Sequence, residues 1–259
     1  MLLEFYKYQG TGNDFIMIDN RELTFPKNNT KYIAQLCNRK FGIGADGLIL
    51  LEQSDAHDFT MTYYNADGNI SSMCGNGGRC IVAFAKRLNI ISNTAIFNAI
   101  DGMHEASIED NIVSLKMIDV DAVDQFDNHL FLNTGSPHHI SFVKDVKSVD
   151  VKNTGRTIRY GAPYFEEGSN INFVEQQNEN TFKVRTYERG VEDETLSCGT
   201  GVTAVAIASH KAKKTKNNTI TIETLGGLLE VSFTPDTNNY KNVFLKGEAS
   251  FVFKGEIQI

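Results

Sequence analysis

The pattern of hydrophobic and polar positions predicts many short strands separated by turns. Runs rich in β-branched and aromatic residues, bounded by Gly, Asn and Asp, are typical of strands. The first half contains EFYKYQG, FIMID, LILLE and FTMTYYN, and the second half contains INFVE, FKVRTYE, TITIETL, LLEVSF and NVFLKG. Residues 31–41 differ, because Ile33, Leu36 and Cys37 follow a helical spacing. We therefore expect one short helix within this strand-rich first half.

Two further stretches predict helices that are buried on nearly every side. They begin at Cys74 and Cys198, run to about Leu88 and Lys211, and contain the apolar segments IVAFA and VTAVAIA. A helix without a polar face is normally buried. We therefore predict an α+β fold of two pseudo-symmetric halves. Each half is expected to be a curved mixed or antiparallel sheet wrapped around a central helix, with an active cleft between the halves.

An internal repeat supports this division. Cys74-Gly75-Asn76-Gly77 and Cys198-Gly199-Thr200-Gly201 are nearly alike, and their separation is close to half of the 259 residues. Gly12-Asn13-Asp14-Phe15 and Gly135-Ser136-Pro137-His138, each in a turn between two strands, keep nearly the same separation. The predicted domains are residues 1–118, joined by a last strand at 249–259, and residues 119–248. The acidic segment MIDVDAVDQFD is expected to be the linker.

Composition excludes several classes of function. The net charge is −7, and the basic residues cluster only at Lys211, Lys213, Lys214 and Lys216, so a nucleic-acid partner is not expected. Apolar runs stay shorter than the roughly 18 residues that span a membrane, and the start of the chain lacks an export pattern, so a cytoplasmic protein is expected. The four cysteines form no regular disulfide framework, which favours reduced thiols, and no Cys/His cluster has zinc-ligand spacing, so no metal is expected.

The repeated cysteine turns predict a specific chemistry. A thiol at a helix start lies near unpaired N–H groups and the positive end of the helix dipole, which lower its pKa. The following glycines let a carboxylate approach the same N–H groups. Two such turns facing one cleft would hold an α-carbon between Cys74 and Cys198, so that one proton leaves one face and another arrives at the opposite face. This reaction inverts a stereocentre without a cofactor.

Other candidate residues keep two interpretations. Cys37 and Cys80 are expected to belong to the core rather than to the site. His138 is either a satisfied loop histidine or a modulator of a thiol. Glu188 and Arg189 end a strand nine or ten residues before Cys198 and form either a surface ion pair or a substrate contact. Because Asn65 ends its own strand nine residues before Cys74, we favour substrate contact.

The chain resembles the diaminopimelate epimerase family. The motifs that carry the resemblance are GTGNDF, FGIGADG, NADGN followed by CGNGGRC, GSPHH, SNINFVE and YERGVEDETLSCGTG. The resemblance implies an isomerase that interconverts LL- and meso-diaminopimelate without pyridoxal phosphate, in lysine and peptidoglycan precursor biosynthesis. It implies a homodimer, no metal and no cofactor.

The resemblance also assigns roles to residues of this chain. It implies that Cys74 and Cys198 are the acid and base, and that His138 and Glu188 tune the pKa of the thiols. The implied carboxylate ligands are the N–H groups of Gly75, Asn76, Gly199 and Thr200, and the implied further substrate contacts are Asn13, Asn65, Asn170, Glu188 and Arg189. In this assignment Arg189 binds the distal carboxylate in a bidentate manner, while Glu188 and the asparagines meet the amino groups.

The chain departs from the family pattern at three places, of which Gly47 and Ser136 concern the distal end of the substrate. Gly47 stands where some family members carry a substrate-binding glutamine, and Ser136 stands where many carry an asparagine. We therefore expect the distal amino-acid group to be held somewhat differently. The segment between Arg189 and Cys198 is one residue longer than in some relatives, a difference that a loop can absorb.

Three rival functions remain open from sequence. A related two-cysteine racemase would act on proline or hydroxyproline, although Arg189 and the asparagines favour a longer substrate. A thiol-disulfide oxidoreductase would cycle Cys74 and Cys198 between redox states, but the chain has no CxxC motif. An anion-binding module would use its cysteines only structurally.

Overall fold

The computed structural model describes residues 2–71, 73–237 and 239–258. The chain divides into two compact units, Met1–Leu115 with Gly247–Ile259 (unit 1) and Lys116–Lys246 (unit 2). Each unit combines a mixed sheet with two α-helices, so the predicted α+β class is confirmed. The domain limits expected at 118 and 248 stay a prediction.

Unit 1 begins with seven strands and two helices. They are β1 (Leu2–Gly10), β2 (Asn13–Asp19), α1 (Thr30–Cys37), β3 (Gly47–Glu52), β4 (Phe59–Asn65), α2 (Gly75–Arg87), β5 (Thr94–Ala99), β6 (Gly102–Glu109) and β7 (Ile112–Lys116). Along the sheet, β1 pairs with β2 antiparallel, β2 with β3 parallel, β3 with β4 antiparallel and β4 with β5 parallel. The strands β5, β6 and β7 then continue as an antiparallel meander.

Unit 2 repeats this order of elements and adds two three-residue strands and a 3₁₀ turn. It contains β8 (Val123–Gln125), β9 (Leu130–Asn133), β10 (Pro137–Phe142), a 3₁₀ turn (Val146–Ser148), α3 (Val151–Tyr160), β11 (Asn170–Gln176), β12 (Thr181–Glu188), β13 (Asp193–Thr195), α4 (Gly199–Lys211), β14 (Thr219–Thr224), β15 (Gly227–Asp236) and β16 (Asn239–Glu248). The pairings β9–β10, β10–β11, β11–β12, β12–β14 and β14–β15 are antiparallel, parallel, antiparallel, parallel and antiparallel, as in unit 1. The repeat seen in the sequence is therefore a repeat of topology.

The last strand, β17 (Ser250–Gln258), returns to unit 1 and pairs antiparallel with β1. The pairing runs from Leu2 opposite Gln258 to Gln9 opposite Ser250, with a bulge between Lys7 and Tyr8. Aromatic contacts accompany it, because Phe251 lies against Tyr8 at a centroid distance of 5.6 Å.

The sheet of unit 1 is covered on both faces, which explains its continuous apolar strands. Ile16 and Leu48 belong to the cluster that packs against α1. Phe15 and Ile49 point to the opposite face, where both lie within 3.6 Å of the position that a Cβ on Gly77 of α2 would take. A strand buried on both sides has no polar face to expose. The run from Leu48 to Leu51 is therefore apolar throughout.

Both predicted buried helices are present and begin where expected. α2 and α4 have Cys74 and Cys198 as N-cap residues and end at Arg87 and Lys211. The helix expected over residues 31–41 is shorter, because Asn38 is already extended at the C-cap of α1.

Two segments differ from the sequence-based expectation. α3 was not predicted, since its sequence VKNTGRTIRY has few apolar residues and a central glycine. The segment expected to be an irregular linker contains β8 and the buried residues Met117 and Val120. Val120 exchanges backbone hydrogen bonds with Tyr240, so this segment is part of unit 2.

Among the described residues, no helix combines the length and apolar character needed to cross a membrane.

Candidate active site

The start of α2 presents Cys74 beside the first turn of a buried helix. The backbone of Cys74 is extended (φ −105°, ψ 125°), and the helix continues with the buried residues Gly75 and Asn76. The first N–H groups of a helix have no acceptor within the helix, and the helix dipole is positive at this end. This position favours the thiolate form of a cysteine and the binding of an anion.

Asn13 lies beside Cys74 because a tight turn joins β1 to β2. Gly12 in this turn has φ 84°, which glycine adopts without steric cost. The Asn13 Nδ2 donates to the Asp46 carboxylate at 2.7 Å. A carboxylate only accepts, so this bond fixes the amide orientation. Asn13 Oδ1 therefore faces the Cys74 sulfur at 3.6 Å and Asn76 Nδ2 at 3.3 Å.

Four charged side chains hold this turn in place. Lys7 pairs with Asp14 at 2.6 Å, and Arg39 pairs with Asp14 at 2.6 Å and with Asp46 at 2.7 Å. Burial raises the pKa of the Asp14 carboxyl, but hydrogen bonds from Arg39 and Lys7 outweigh it and lower the pKa to about 2. Asp14 is therefore ionised at neutral pH, and Arg39, which contacts both carboxylates, keeps Asp46 beside Asn13.

Arg79 lies completely buried one turn further along α2. Its guanidinium donates to Gly75 O at 3.3 Å, to Asn76 Oδ1 at 3.0 Å and to Thr11 Oγ1 at 3.4 Å. Within the described part of the chain, no carboxylate forms an ion pair with it. Burial lowers the pKa of Arg79. The contact to Asn76 Oδ1 orients the Asn76 amide so that its nitrogen faces Asn13.

Gly47 and Asn65 lie opposite each other on β3 and β4. A Cβ at Gly47 would lie 2.5 Å from the Tyr63 ring and 2.6 Å from the Tyr64 carbonyl oxygen. The Tyr63 side chain therefore fills the space that a longer residue at position 47 would need. Asn65 itself is exposed at the end of β4, and its carbonyl accepts from Gly68 in the following turn.

The start of α4 presents Cys198 in the equivalent way. Cys198 is the extended N-cap residue (φ −123°, ψ 113°) and is 9% exposed. Its sulfur lies 3.4 Å from Thr200 Oγ1, which in turn lies 3.0 Å from His138 Nε2. Thr134 Oγ1 donates to the Thr200 carbonyl at 2.8 Å and ties the turn after β9 to this helix start.

The hydrogen bonds around Asn172 determine which nitrogen of His138 carries the proton. Asn172 Nδ2 donates to the His139 carbonyl at 3.1 Å, and Thr186 Oγ1 donates to Asn172 Oδ1 at 3.0 Å. The same Nδ2 lies 3.2 Å from His138 Nδ1, which must therefore accept. His138 Nε2 then carries the hydrogen and donates to Thr200. The Thr200 hydroxyl is left to donate toward Cys198.

His138 is neutral at physiological pH. Burial, assisted by the charge of Arg189, lowers its pKa from 6.5 to about 3. The side chain is completely buried, so it acts as a hydrogen-bond donor rather than as a surface base. Through Thr200 it supplies a neutral donor at the Cys198 thiol.

Asn170 joins three segments of unit 2. Its Nδ2 donates to Ser136 Oγ at 2.9 Å and to the Pro137 carbonyl at 3.0 Å, while its Oδ1 accepts from the Arg189 backbone N–H at 2.9 Å. The exposed Arg189 side chain donates to the Glu167 carbonyl at 2.8 Å. Asn170 therefore holds the backbone from which Arg189 extends.

Glu188 ends β12 and is half-buried. Its Oε2 accepts from Thr195 Oγ1 at 2.9 Å. Glu188 and Arg189 were expected to form either an ion pair or a substrate contact, and their side chains bond to different residues.

The structure groups the sequence-predicted site residues within each unit. Unit 1 brings together Asn13, Cys74, Gly75 and Asn76, and places Asn65 at the end of β4. Unit 2 brings together His138, Cys198, Gly199 and Thr200, and separately Asn170 with Arg189, with Glu188 next to Arg189 in the chain. Cys37 and Cys80 lie in the core, and burial raises the pKa of each thiol to about 12.

Four residues of these surroundings were not identified from sequence, namely Asp46, Tyr63, Arg79 and Asn172. A signal existed for Arg79, because a charged residue near the start of a helix predicted to be buried must have polar neighbours. The others carry no local signal, since their partners come from distant strands.

Among the described residues, no group of three or more His, Cys, Asp or Glu side chains is arranged to hold a metal ion. The chemical groups assembled at the two helix starts are instead thiols, amides and backbone N–H groups. Such groups can bind a carboxylate and transfer protons.

A family model described as diaminopimelate epimerase matches residues 5–119 and 130–252. The diaminopimelate epimerase of Flavobacterium psychrophilum is 60% identical over 256 residues, covering 98% of this chain and 100% of the relative. That of Aquifex aeolicus is 38% identical over 277 residues, covering 98% of each.

Solved structures share the fold at low sequence identity. A phenazine biosynthesis protein of the PhzF family from Bacillus anthracis superposes with a TM-score of 0.79 at 13% identity, over 100% of both chains. A hydroxyproline epimerase from Agrobacterium vitis superposes with a TM-score of 0.70 at 12% identity, over 99% of this chain and 92% of the other.

Proposed function

Because this chain belongs to the diaminopimelate epimerase family, we propose that it interconverts LL- and meso-diaminopimelate with Cys74 and Cys198 as its proton-transferring groups. The observation that carries the proposal is the duplicated helix start. In two units of equal topology, a cysteine caps a buried helix at the same place. Members of this family are isomerases, and the product serves lysine and peptidoglycan precursor biosynthesis.

The proposed reaction needs one thiolate and one thiol. The thiolate removes the hydrogen of the α-carbon as a proton, and the electron pair moves into the α-carboxylate as an enediolate. The opposite thiol then delivers its proton to the other face of the carbon, which restores the carboxylate and inverts the centre. The enzyme ends with its two sulfur protonation states exchanged.

Backbone donors at the two helix starts support the charge that develops on the carboxylate. In the proposal these are the N–H groups of Gly75, Asn76, Gly199 and Thr200. Donors that are fixed before the reaction stabilise developing negative charge without reorganisation. The cost of forming the enediolate at neutral pH thereby falls.

The remaining polar residues are proposed to hold the rest of the substrate. Arg189, exposed and anchored through its backbone, is suited to the distal carboxylate. Glu188 and the amides of Asn13 and Asn65 are suited to ammonium groups and polar atoms. Asn170 contributes through its hold on Arg189.

His138 and Glu188 are proposed to tune the thiols. Neutral His138 acts on Cys198 through the Thr200 hydroxyl, which favours the thiolate when it donates. Glu188, half-buried at the end of β12, acts in the opposite direction. Its negative charge disfavours the thiolate form of a nearby cysteine.

Reaction without a cofactor, a cytoplasmic location and a homodimer belong to the same proposal. The mechanism needs reduced thiols, which the cytosol maintains.

In the proposed homodimer, a second copy would cover exposed apolar side chains on β17, where Val252 and Phe253 are 53% and 44% exposed. Light scattering during size-exclusion chromatography should give twice the mass of 28.8 kDa. A monomer at micromolar concentration would contradict the dimer.

The test is incubation with LL-diaminopimelate in deuterated buffer, followed by mass and chirality analysis. We expect meso-diaminopimelate carrying one deuterium at the inverted carbon. Cys74→Ser and Cys198→Ser should each lower kcat by about 10²-fold or more, because a serine hydroxyl is a far weaker acid. Cys37→Ala, at a buried thiol of the α1 cluster, is the matched control and should keep its activity.

The same assay separates the rival functions. Racemisation of proline or hydroxyproline in preference to diaminopimelate would assign a different substrate. Disulfide turnover without isotope exchange would indicate a redox enzyme, and full function in both serine variants would contradict the two-thiol mechanism.

A further inference from the structure

Arg79 carries a buried positive charge that takes no part in the proton transfers described above. Its side chain is completely buried, and its Nε has no hydrogen-bond partner among the described residues. A buried arginine is normally paired with a carboxylate, since burial of an unpaired charge is costly. Here all three partners of the guanidinium are neutral oxygens, on Gly75, Asn76 and Thr11.

Unit 2 shows that the hydrogen bonds alone do not require a cation. The residue equivalent to Arg79 in α4 is Thr203, five positions after the cysteine in each helix. Thr203 Oγ1 donates to the Gly199 carbonyl at 3.0 Å, as Arg79 donates to the equivalent Gly75 carbonyl. A neutral hydroxyl therefore satisfies the same helix carbonyl in unit 2. The positive charge is a feature of unit 1 alone.

We propose that Arg79 is a positioning residue whose buried charge stabilises the thiolate of Cys74. This inference rests on the proposed function only for the role it gives to Cys74. Arg79 acts from within the helix and through Asn76, without touching the substrate. Its counter-charge is formed when Cys74 loses its proton, which explains the lack of a permanent carboxylate partner.

The other titratable groups around Arg79 do not cancel its charge. On α2, Cys80 is completely buried, and burial raises its pKa to about 12, so it stays a neutral thiol. On β1, burial raises the pKa of Tyr8, which is also neutral. The charges of Lys7, Asp14, Arg39 and Asp46 sum to zero, and they pair with one another.

One contact opposes the proposed effect. Asn13 Oδ1 accepts from the Cys74 sulfur at 3.6 Å, which favours the protonated thiol. This distance is at the long end of hydrogen bonds to sulfur, whereas a full charge acts over several ångströms in a buried environment. The charge of Arg79 is therefore expected to dominate.

The experiment measures the rate of alkylation of each cysteine by iodoacetamide as a function of pH, resolved by peptide mass spectrometry. Arg79→Gln and Arg79→Met remove the charge, and Arg79→Lys keeps it. In both neutral variants the pH midpoint for Cys74 should rise by about one to two units, and in Arg79→Lys it should stay within about half a unit of the original protein. The midpoint for Cys198 should stay constant in all variants.

Arg87→Gln is the matched control. Arg87 lies on the same helix but is exposed and bonds to Tyr8 at its far end. Its substitution should leave the Cys74 midpoint unchanged.

Two results would overturn the proposal. One is an equal shift in the lysine and glutamine variants, which would indicate a purely structural role. The other is a Cys74 midpoint in the original protein at or above the ordinary thiol value of about 8.5, a result that does not depend on whether any variant folds. The readout uses no diaminopimelate, so an absence of epimerase activity would contradict the proposed function without deciding the role of Arg79.

Discussion

At the scale of single residues, Thr200 connects His138 to Cys198. The imidazole donates to the hydroxyl at 3.0 Å, and the hydroxyl lies 3.4 Å from the sulfur. The donor and acceptor roles in this series of hydrogen bonds follow from the Asn172 amide, whose nitrogen donates to the His139 carbonyl. The hydrogen bond that Thr200 offers to the Cys198 sulfur therefore depends on the orientation of the Asn172 amide.

Replacing Thr200 by valine should lower kcat by about 10-fold or more. The substitution leaves the buried His138 Nε2–H without its acceptor and removes the donor to Cys198. Thr200→Ser keeps the hydroxyl and should retain most of the activity. Steady-state kinetics in both directions measure the effect. Equal activity of the valine and serine variants would show that the hydroxyl has no part in the reaction.

The sequence predicted Cys74 and Cys198 as candidate site residues at helix starts. The two CGxG turns repeat, and the start of a helix lowers the pKa of a thiol. The sequence predicted the region of His138 for the same reason of repetition. Asn172 and Asp46 were out of reach, since their roles come from the orientation of amides that distant strands bring together. Such orientations depend on register, which a single sequence does not specify residue by residue.

At the scale of elements, the pairing of β3 with β4 explains why position 47 is glycine. Asn65 is its partner across the strands, and the Tyr63 ring and the Tyr64 carbonyl occupy the space beyond its α-carbon. The difference from family members with glutamine at this position was expected to affect substrate binding. The structure adds a packing reason, because no side chain fits at Gly47 without displacement of its neighbours.

Gly47→Ala should destabilise the protein by about 1–3 kcal/mol through overpacking. In a protein that already carries Tyr63→Ala, the Gly47→Ala substitution should cost less stability than it does in the original protein. The Tyr63 ring is one of the two groups that the new methyl would contact. Urea unfolding monitored by circular dichroism measures the changes. A stability of Gly47→Ala equal to that of the original protein would show that the strands adjust without cost.

The helix α3 shows why some elements escape prediction. Its Gly155 leaves room for Tyr187, whose Cβ would lie 2.5 Å from a Cβ at position 155. A glycine disfavours a helix locally, but here it permits close packing of α3 on β12. The strands and the helices α2 and α4 were predicted because their own residues carry the pattern. α3 depends on a partner that is remote in sequence.

At the scale of the whole molecule, buried neutral histidines link stability to pH. Burial lowers the pKa of His138 to about 3 and, together with the neighbouring His129, that of His139 to about 4, from an ordinary value of 6.5. Below pH 6.5 the unfolded chain binds protons that the folded chain excludes. The contribution of these two histidines to the free energy of unfolding is therefore complete above pH 6.5 and decreases as the pH falls toward 4.

Between about pH 6 and pH 4.5, each of these imidazoles should remove about 1.4 kcal/mol of stability per pH unit. Asp14, with a pKa of about 2, adds to the loss only below its ordinary value of 3.8. Urea unfolding at several pH values gives the slope, and His138→Gln should reduce it by the share of one imidazole. A slope unaffected by this substitution would contradict the buried neutral state of His138.

The return of β17 to β1 has a consequence for the order in which the molecule is made. During translation at about 5–20 residues per second, β1 leaves the ribosome tens of seconds before β17, the second of its two neighbouring strands, exists. Unit 2 is continuous, so its residues are all available earlier. The sheet of unit 1 is thus completed last, and until β17 is made, the edge of β1 that does not pair with β2 needs protection from other chains.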